Sequence, residues 1–581
     1  MTGSPIWRRL GGHGLLWLLL ALLAVLLLWP VALTVIGGFL DADGNLTLAH
    51  LAALFEDPLV LEGLANSLLI AVCTTLLSLA LSMPLALVAA RYDFPGKAIL
   101  GVLIMLPLIL PPFVGAIGLR VLLGRFGAVN ALLAAIGIGD PGRPATDLLH
   151  GGFWSVVVME ALHLYPILYL NLVAALANLD PTLEEAASSL GSGHWMRFRR
   201  ITVPLILPGL FAGCTLVFIW SFTELGTPLM LDYYRVTPVQ IFWGVMEIDQ
   251  NPRPFALVVV MLAAAVALYL LGRVLVGGRI HAMHSKASVA AATRRLRGVG
   301  GAAAAGLFAV VVTACALPHL GLVISSLAEG GTWYRTVLPE RWTLDHFAGA
   351  LTHPMAMGSI RNSLLYAGAA MVLCVLMGLA IAYVVERVRV RGVALLDGLA
   401  MLPLAVPGLV MAFGYVAMTL HWPFGPGGPL EGLVAVVGSE PNPVPLLIIA
   451  YAVRRLPYVV RSAAAGLQQT PVELEEAALG LGATRLATMR HIVVPLILAN
   501  LVAGAILAFS FSMLEVSDSL ILAQKQVHYP VTKAIYELFS RLGDGPYLAG
   551  AMGVWGMMLL AVTLAAAMQL LGKKMGALFR L

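Results

Sequence analysis

Four carboxylates at the head of two near-identical segments carry the most specific chemistry in this chain. The first segment, EEAASSLGSGHWMRFRRITVP, runs from Glu184 to Pro204; the second, EEAALGLGATRLATMRHIVVP, runs from Glu475 to Pro495, 291 residues further on. Glu185 pairs with Glu476, Ala186-Ala187 with Ala477-Ala478, Gly191 with Gly482 and Pro204 with Pro495. Neither segment offers a nucleophile–base arrangement, so the chemistry on offer is charge pairing with basic groups of another molecule. A single glutamate pair at a helix start would only favour the helix dipole. The same residues at the same spacing, twice, between long apolar runs, predict a docking surface for a partner present in two copies.

A second set of ionisable residues lies inside apolar runs, where charge is costly and therefore informative. Glu160 and His163 fall in the fourth run, Glu224 and Glu515 late in the fifth and eleventh at equivalent positions, and Asp518 one turn beyond Glu515. Arg454 and Arg455 fall in the tenth. Glu224 and Glu515 are candidates for a translocation path; pairing between helices is the alternative for each of these residues. Other chemistry is missing. No G-x-x-x-x-G-K-[ST] phosphate loop occurs, since Gly96-Lys97 is followed by Ala98 and Gly572-Lys573 by Lys574. Cys73, Cys214, Cys315 and Cys374 all sit in apolar runs at spacings that suit neither a metal nor a disulfide framework. His281 and His284 read as solvated linker residues.

The elements that hold these residues are membrane helices. The chain has 581 residues, 60% hydrophobic and 11% charged, where soluble domains carry about a quarter charged residues. An all-α polytopic membrane protein follows, with about twelve spans of the length a bilayer requires: 14–37, 63–90, 98–122, 152–176, 204–230, 254–277, 300–326, 362–385, 394–420, 444–463, 495–523 and 547–571. A closed barrel would alternate instead. The first run has a basic start, as a signal peptide does, but is too long for one and is read as a retained span. With the N-terminus inside, 22 of the 35 Lys and Arg residues fall on the cytoplasmic side and 11 outside, leaving Arg454 and Arg455 near the membrane. Both termini and both repeated loops then face the cytoplasm. The basic balance reflects this asymmetry and gives no support to nucleic-acid binding.

The loops belong to a wider duplication. TLAHLAALFEDP (Thr47–Pro58) resembles TLDHFAGALTHP (Thr343–Pro354), Asn66-Ser67-Leu68-Leu69 matches Asn362-Ser363-Leu364-Leu365, and MLPLILPP (Met105–Pro112) matches MLPLAVPG (Met401–Gly408), all offset by 296. Six spans per half give two parallel repeats, joined by the basic, Gly/Ala-rich stretch Gly277–Gly301. The expected division is 1–290, with its repeated loop at 180–203, and 291–581, with its loop at 470–494. Within the loops, Asp180-Pro181 is an N-cap and first-turn signal, and Thr470-Pro471-Val472-Glu473 has the capping-box pattern. Leu183, Ala186, Ala187 and Leu190, and likewise Leu474, Ala477, Ala478 and Leu481, form one apolar stripe on a short helix. Gly191 and Gly482 follow where a helix would stop in a left-handed conformation. Trp195 and Phe198, or Leu486 and Met489, mark a second short helix, making a compact elbow. Pro107/Pro111 and Pro403/Pro407 predict matched kinks in the third and ninth spans.

The pattern Glu-Ala-Ala, three residues, Gly, and Pro thirteen later resembles the signature loop of the permeases of binding-protein-dependent ABC importers, and the match covers essentially the whole chain as two permease domains. The resemblance implies a type I importer fold whose loops are coupling helices, docking two separate ABC ATPase subunits through Glu184, Glu185, Ala186, Ala187 and Gly191 and through Glu475, Glu476, Ala477, Ala478 and Gly482. It further implies a periplasmic or lipid-anchored solute-binding protein, residence in the bacterial inner membrane, and no cofactor on this chain, with ATP-Mg held by the partner subunits. The second copy has Met489 where the first has Phe198, so its trailing helix is the weaker match. Two domains in one chain, with SFTELGTPLML (Ser221–Leu231), look most like the ferric-iron group; thiamine, polyamine and phosphonate importers are close relatives. The competing class is an ion-coupled twelve-span secondary transporter. A major-facilitator protein would be expected to carry a basic glycine-containing loop between spans two and three, where this chain has ARYDFPGKA, and would have no need of two Glu-Ala-Ala elbows.

Overall fold

Two matched prolines break the third and ninth apolar runs, whereas Pro84, Pro166, Pro208, Pro318 and Pro457 lie inside continuous helices. In the computed structural model, which describes residues 5–40, 44–109, 111–138, 149, 152–248, 251–277, 294–388, 390–438, 440–541 and 543–571, the third and ninth predicted spans are broken rather than kinked. Lys97–Leu103 and Leu106–Ile109 are followed by Pro112–Leu123, and Val393–Met401 with a 3-10 turn is followed by Gly408–Leu420. The second of these pairs turns through 102°. Pro111 and Pro407 take extended ψ values of 128° and 135°, which interrupts the helix outright.

Among the described residues, nine helices are long and apolar enough to cross a membrane, or eleven if each of two bent pairs is one span. Nine falls short of the expected twelve because the ninth and eleventh runs are the two bent pairs and the tenth carries too much charge, while the third run is counted but displaced. The third run is split at its prolines, leaving Pro112–Ala135 as the candidate in its place. Helix Val444–Gln469 has the length of a span at 26 residues, but every stretch of it long enough to cross contains Arg454, Arg455 and Arg461. Helices Pro58–Arg91 and Pro354–Arg387 are both 34 residues long. That is about 51 Å of helix against a hydrocarbon core of about 30 Å, so each carries its last turns beyond the apolar layer.

The helices gather into two compact units, one drawn from Met1–Leu54, Ile241–Val259 and Phe347–Leu578, the other from Phe55–Gln240 and Val260–His346. These units are cut differently from the sequence repeats, and residue 290, where the repeats were divided, lies outside the described residues. In the first unit, Leu16, Leu19, Leu20 and Leu23 of the first span pack with Met377, Ile381, Val384, Leu396 and Leu456. A π turn at Ala24–Leu28 disturbs the helical hydrogen-bond ladder, and the Leu26 carbonyl accepts a bond from Tyr415 Oη at 2.8 Å. A Cβ on Gly414 would come within 2.7 Å of the Pro30 backbone. In the second unit, Phe308, Val311 and Cys315 of Gly298–Leu327 pack with Leu85, Ile104, Tyr165 and Leu168, and a Cβ on Gly118 would fall 1.8 Å from Pro318 O. Gly118 and Gly414 are 296 residues apart. Each repeat thus lends its first span to the unit built mainly from the other. A two-residue parallel pairing of Tyr92-Asp93 with Arg294-Arg295 fixes the approach to Gly298–Leu327.

Candidate functional site: two elbows and the buried carboxylates

The repeated loops fold as the expected elbows. The first arm of the first elbow is Pro181–Ser189, capped by Asp180, whose Oδ1 accepts from Thr182 Oγ1 at 2.7 Å and Thr182 N at 3.0 Å. These bonds hold the Asp180 carboxyl below the usual carboxylate range. The first arm of the second elbow is Val472–Gly480. Its capping box does not form: no side chain caps this helix, because the Thr470 hydroxyl turns back to donate to Gly466 O at 3.1 Å. Both arms end alike. Ser192 N reaches Ala187 O and Ala483 N reaches Ala478 O, each at 3.0 Å, with Gly191 at φ +79° and Gly482 at φ +93°. No atom lies within 4 Å of a Cβ built on either glycine, so glycine is required there by backbone conformation and not by space. Second arms follow at His194–Arg197 and Arg485–Thr488, each running into a π turn, Phe198–Thr202 and Met489–Val493. Thr484 caps its arm by accepting from Ala487 N at 3.2 Å; Gly193 does not cap with a side chain.

What the elbows display differs from what the sequence alone suggested. Glu185, Ala186, Glu476 and Ala477 are exposed, Ala187 is half-buried and Ala478 is buried. Beside them stand exposed apolar side chains: Leu183, Leu190, Trp195 and Met196 on one elbow, Leu474, Leu481 and Leu486 on the other. Leu190 and Leu481 are 89% and 91% exposed. Glu184 and Glu475 are not free to meet one. Glu184 pairs with Arg91, and Glu475 Oε1 accepts from Arg387 Nε at 2.7 Å.

The carboxylates in the spans are also used in two ways. Helix Val203–Phe222 ends before Glu224, and Glu224 Oε1 accepts from Gly226 N at 3.1 Å and Thr227 N at 3.2 Å, capping the short helix Gly226–Met230. Glu160 is 2% exposed. Its Oε2 accepts from Ser221 Oγ and from Thr74 Oγ1, while its Oε1 has no hydrogen-bond partner. His163 Nδ1 lies 2.6 Å from Pro107 O, a carbonyl at the helix break. Glu515, matching Glu224, is ion-paired instead: Oε1 to Arg454 Nη1 at 2.8 Å and Oε2 to Arg455 Nη2. Asp518 Oδ2 stands 3.6 Å from the same Arg454 nitrogen. A Cβ on Gly408 would overlap that guanidinium, 1.6 Å from Nη1. The first repeat has Pro112 at this place and His163 in place of Arg454. The sequence put both arginines in the tenth run and allowed pairing between helices for them; their matching against His163 and Leu164 was the signal that the two sites differ. Among the described residues, no group of three His, Cys, Asp or Glu side chains is arranged to hold a metal ion.

Two repeats, each with a glycine-hinged elbow after its fourth long helix, are what a family comparison recognises. The model of the binding-protein-dependent transport system inner membrane component matches residues 82–280 and again 374–575. The chain belongs to that family. It is an ABC importer permease with its two domains fused, and membership sets aside the ion-coupled secondary transporter. Among curated relatives, the ferric transport system permease protein FbpB of Actinobacillus pleuropneumoniae is 26% identical over 569 residues, 94% of this chain and 76% of that one. A putative ferric transport system permease protein of Haemophilus influenzae is 27% identical over 81% of this chain and 70% of its own. A probable molybdenum ABC transporter permease protein of Haloferax volcanii is 35% identical but covers 38% of this chain and 78% of its own. Among solved structures, a bacterial ABC transporter that imports alginate matches 47% of this chain and 99% of its own at 17% identity, with a TM-score of 0.39.

Proposed function

We propose that this permease forms the inner-membrane path of an ATP-driven ferric iron importer and docks two separate ATPase subunits, one at each elbow. The observation that carries the docking is the pair of exposed acidic residues, Glu185 and Glu476, each beside an exposed apolar patch on a helix ended by a left-handed glycine. Acidic groups seek a basic partner and the apolar groups supply area, the usual composition of an interface centre and its rim. ATP-Mg belongs to the partner subunits, and this chain performs no covalent chemistry. A periplasmic or lipid-anchored binding protein delivers the solute, the N- and C-termini are cytoplasmic, and Glu224 and Glu515 lie along the path. The repeats 1–290 and 291–581 are the two permease domains. The iron assignment is supported by relatives named for ferric transport that align over most of this chain.

Glu185→Lys combined with Glu476→Lys should release the ATPase from the purified complex and abolish uptake of radioactive ferric iron into proteoliposomes holding the binding protein. The permease itself should stay folded, with an unchanged elution profile in detergent. Normal ATPase retention and normal uptake in the double variant would remove the elbows from the docking surface. Uptake of molybdate in place of ferric iron by the unaltered complex would replace the substrate and leave the docking intact.

A further inference from the structure

Each elbow is held from behind by one arginine, and the two arginines are matched. Arg91 is the last residue of Pro58–Arg91 and Arg387 the last of Pro354–Arg387, 296 positions apart. Arg91 Nη2 donates to Glu184 on the first arm and to Thr202 Oγ1, beyond the second arm, at 3.2 Å. Thr202 Oγ1 donates in turn to Glu184 Oε1 at 2.6 Å. One guanidinium therefore joins the end of the second span to the first arm of the elbow and to the π turn that follows its second arm. Arg387 donates through Nε to Glu475 and through Nη2 to the carbonyls of Leu467 and Thr470, both at 2.9 Å. Those carbonyls close helix Val444–Gln469, where acceptors are left over at a helix end; Leu467 O also accepts from Thr470 N at 3.0 Å.

The elbows differ in how they run on. The second arm of the first elbow continues without a sharp break into the fifth span, His194–Phe222. In the second elbow the corresponding helix bends by 78° between Arg485–Leu496 and Leu498–Met513. An unbroken helix passes a displacement along its axis; a bent one absorbs it. The second elbow, lacking the straight backbone link, has the more enclosed arginine. The side chains of Arg387 and Glu475 are 10% and 7% exposed, against 39% and 29% for Arg91 and Glu184. Solvent screens the first pair more than the second, and the second adds two charge-assisted bonds to backbone.

We propose that Arg91 and Arg387 are positioning residues that carry the motion of each elbow to the second span of its repeat, and that the second elbow depends on its arginine more than the first. This rests on the elbows being the ATPase docking sites. A tie that only stabilised the fold would alter yield and unfolding temperature while leaving transport per ATP unchanged.

The test compares Arg91→Ala, Arg387→Ala and Glu475→Gln in proteoliposomes containing the ATPase and the binding protein loaded with ferric iron. Glu475→Gln keeps Arg387 and its two carbonyl bonds, and serves if Arg387→Ala does not fold. The readouts are ATPase retained, iron moved per ATP hydrolysed and, without any solute, the ATP-driven change in maleimide labelling of Met357→Cys at the far end of Pro354–Arg387. In all variants the ATPase stays bound. The iron-to-ATP ratio and the labelling change fall about tenfold when Arg387 is lost, and less when Arg91 is lost. A reducible cross-link between Arg387→Cys and Glu475→Cys, in a chain stripped of its native cysteines, restores both readouts until reductant is added. Full coupling in Arg387→Ala with the ATPase bound, or a cross-link that restores nothing, overturns the proposal. A larger loss in Arg91→Ala than in Arg387→Ala overturns the asymmetry. If Arg387→Ala sheds the ATPase while the unaltered chain keeps it, Arg387 shapes the docking surface and transmits nothing. An unaltered chain that never binds the ATPase sinks the docking reading itself.

Discussion

Glu224 and Glu515 hold matching places in the two repeats, yet one caps a helix and the other neutralises arginines. The substitution to glutamine should therefore part them. Glu224→Gln keeps an oxygen for the amides of Gly226 and Thr227, so its unfolding temperature should stay near that of the unaltered chain, and any effect should appear in iron uptake. Glu515→Gln leaves Arg454 and Arg455 short of charge in a site where Glu515 is 3% exposed. Breaking a buried pair costs about 3–5 kcal/mol, which should be visible as a clearly lower unfolding temperature in detergent. Equal stability of the two variants would mean that Arg454 and Arg455 find Asp518 sufficient. Gly191 and Gly482 obey a different rule. Their Cβ positions are empty, so the cost of substitution is the left-handed backbone alone, roughly 1–2 kcal/mol for a residue with a Cβ. Asn, which tolerates that conformation, should retain the ATPase at both positions, and Val should lose it. Val and Asn variants that bind the ATPase equally well would show that the turn has no such requirement.

At the scale of the element, the two elbows should answer acid differently. Asp180 caps the first arm as a carboxylate, and the Thr182 hydroxyl and amide hold its carboxyl below the ordinary range. A depressed folded-state value gives stability that is present above the unfolded value and lost as pH falls through the folded one. For an aspartate whose unfolded value is about 3.9, that window lies in the acid range below it. Amide hydrogen exchange over 181–189 should speed up there, and Asp180→Ala should produce the same change at neutral pH, while 472–480, uncapped by any side chain, shows no corresponding step. Simultaneous loosening of both arms would assign the effect to something shared. The elbows were legible in the sequence because proline, the apolar stripe and the terminal glycine are local signals. The failed capping box was not, since Thr470 is drawn back to Gly466 by the burial of its own helix end. Nor were the breaks at Pro111 and Pro407, because a kink and a full turn have the same sequence and differ in the ψ of one residue. Arg91 and Arg387 read only as charges that orient the chain; their partners, Glu184 and Glu475, stand 93 and 88 residues away.

At the scale of the molecule, the first spans are lent across the repeats, and lipid is as apolar as leucine, so only close packing and hydrogen bonds hold them there. The approach of Gly414 to Pro30 and the bond from Tyr415 to Leu26 are such contacts. A chain cut between residues 290 and 291 should consequently give fragments that are poorly extracted and quickly degraded when made singly. The two fragments made together should reconstitute a complex with near-normal iron uptake. A stable, monodisperse 1–290 fragment on its own would show that it does not need Gly298–Leu327, the span it borrows. The same arrangement sets a schedule for synthesis. Trp29–Gly37 leaves the ribosome early, whereas its partner Gly408–Leu420 is made hundreds of residues later. At about 5–20 residues per second the interval is roughly twenty to seventy seconds. For that time the first span waits in the bilayer with its glycine-shaped partner unborn, and the newborn chain is exposed to membrane proteases until the second half arrives to claim it.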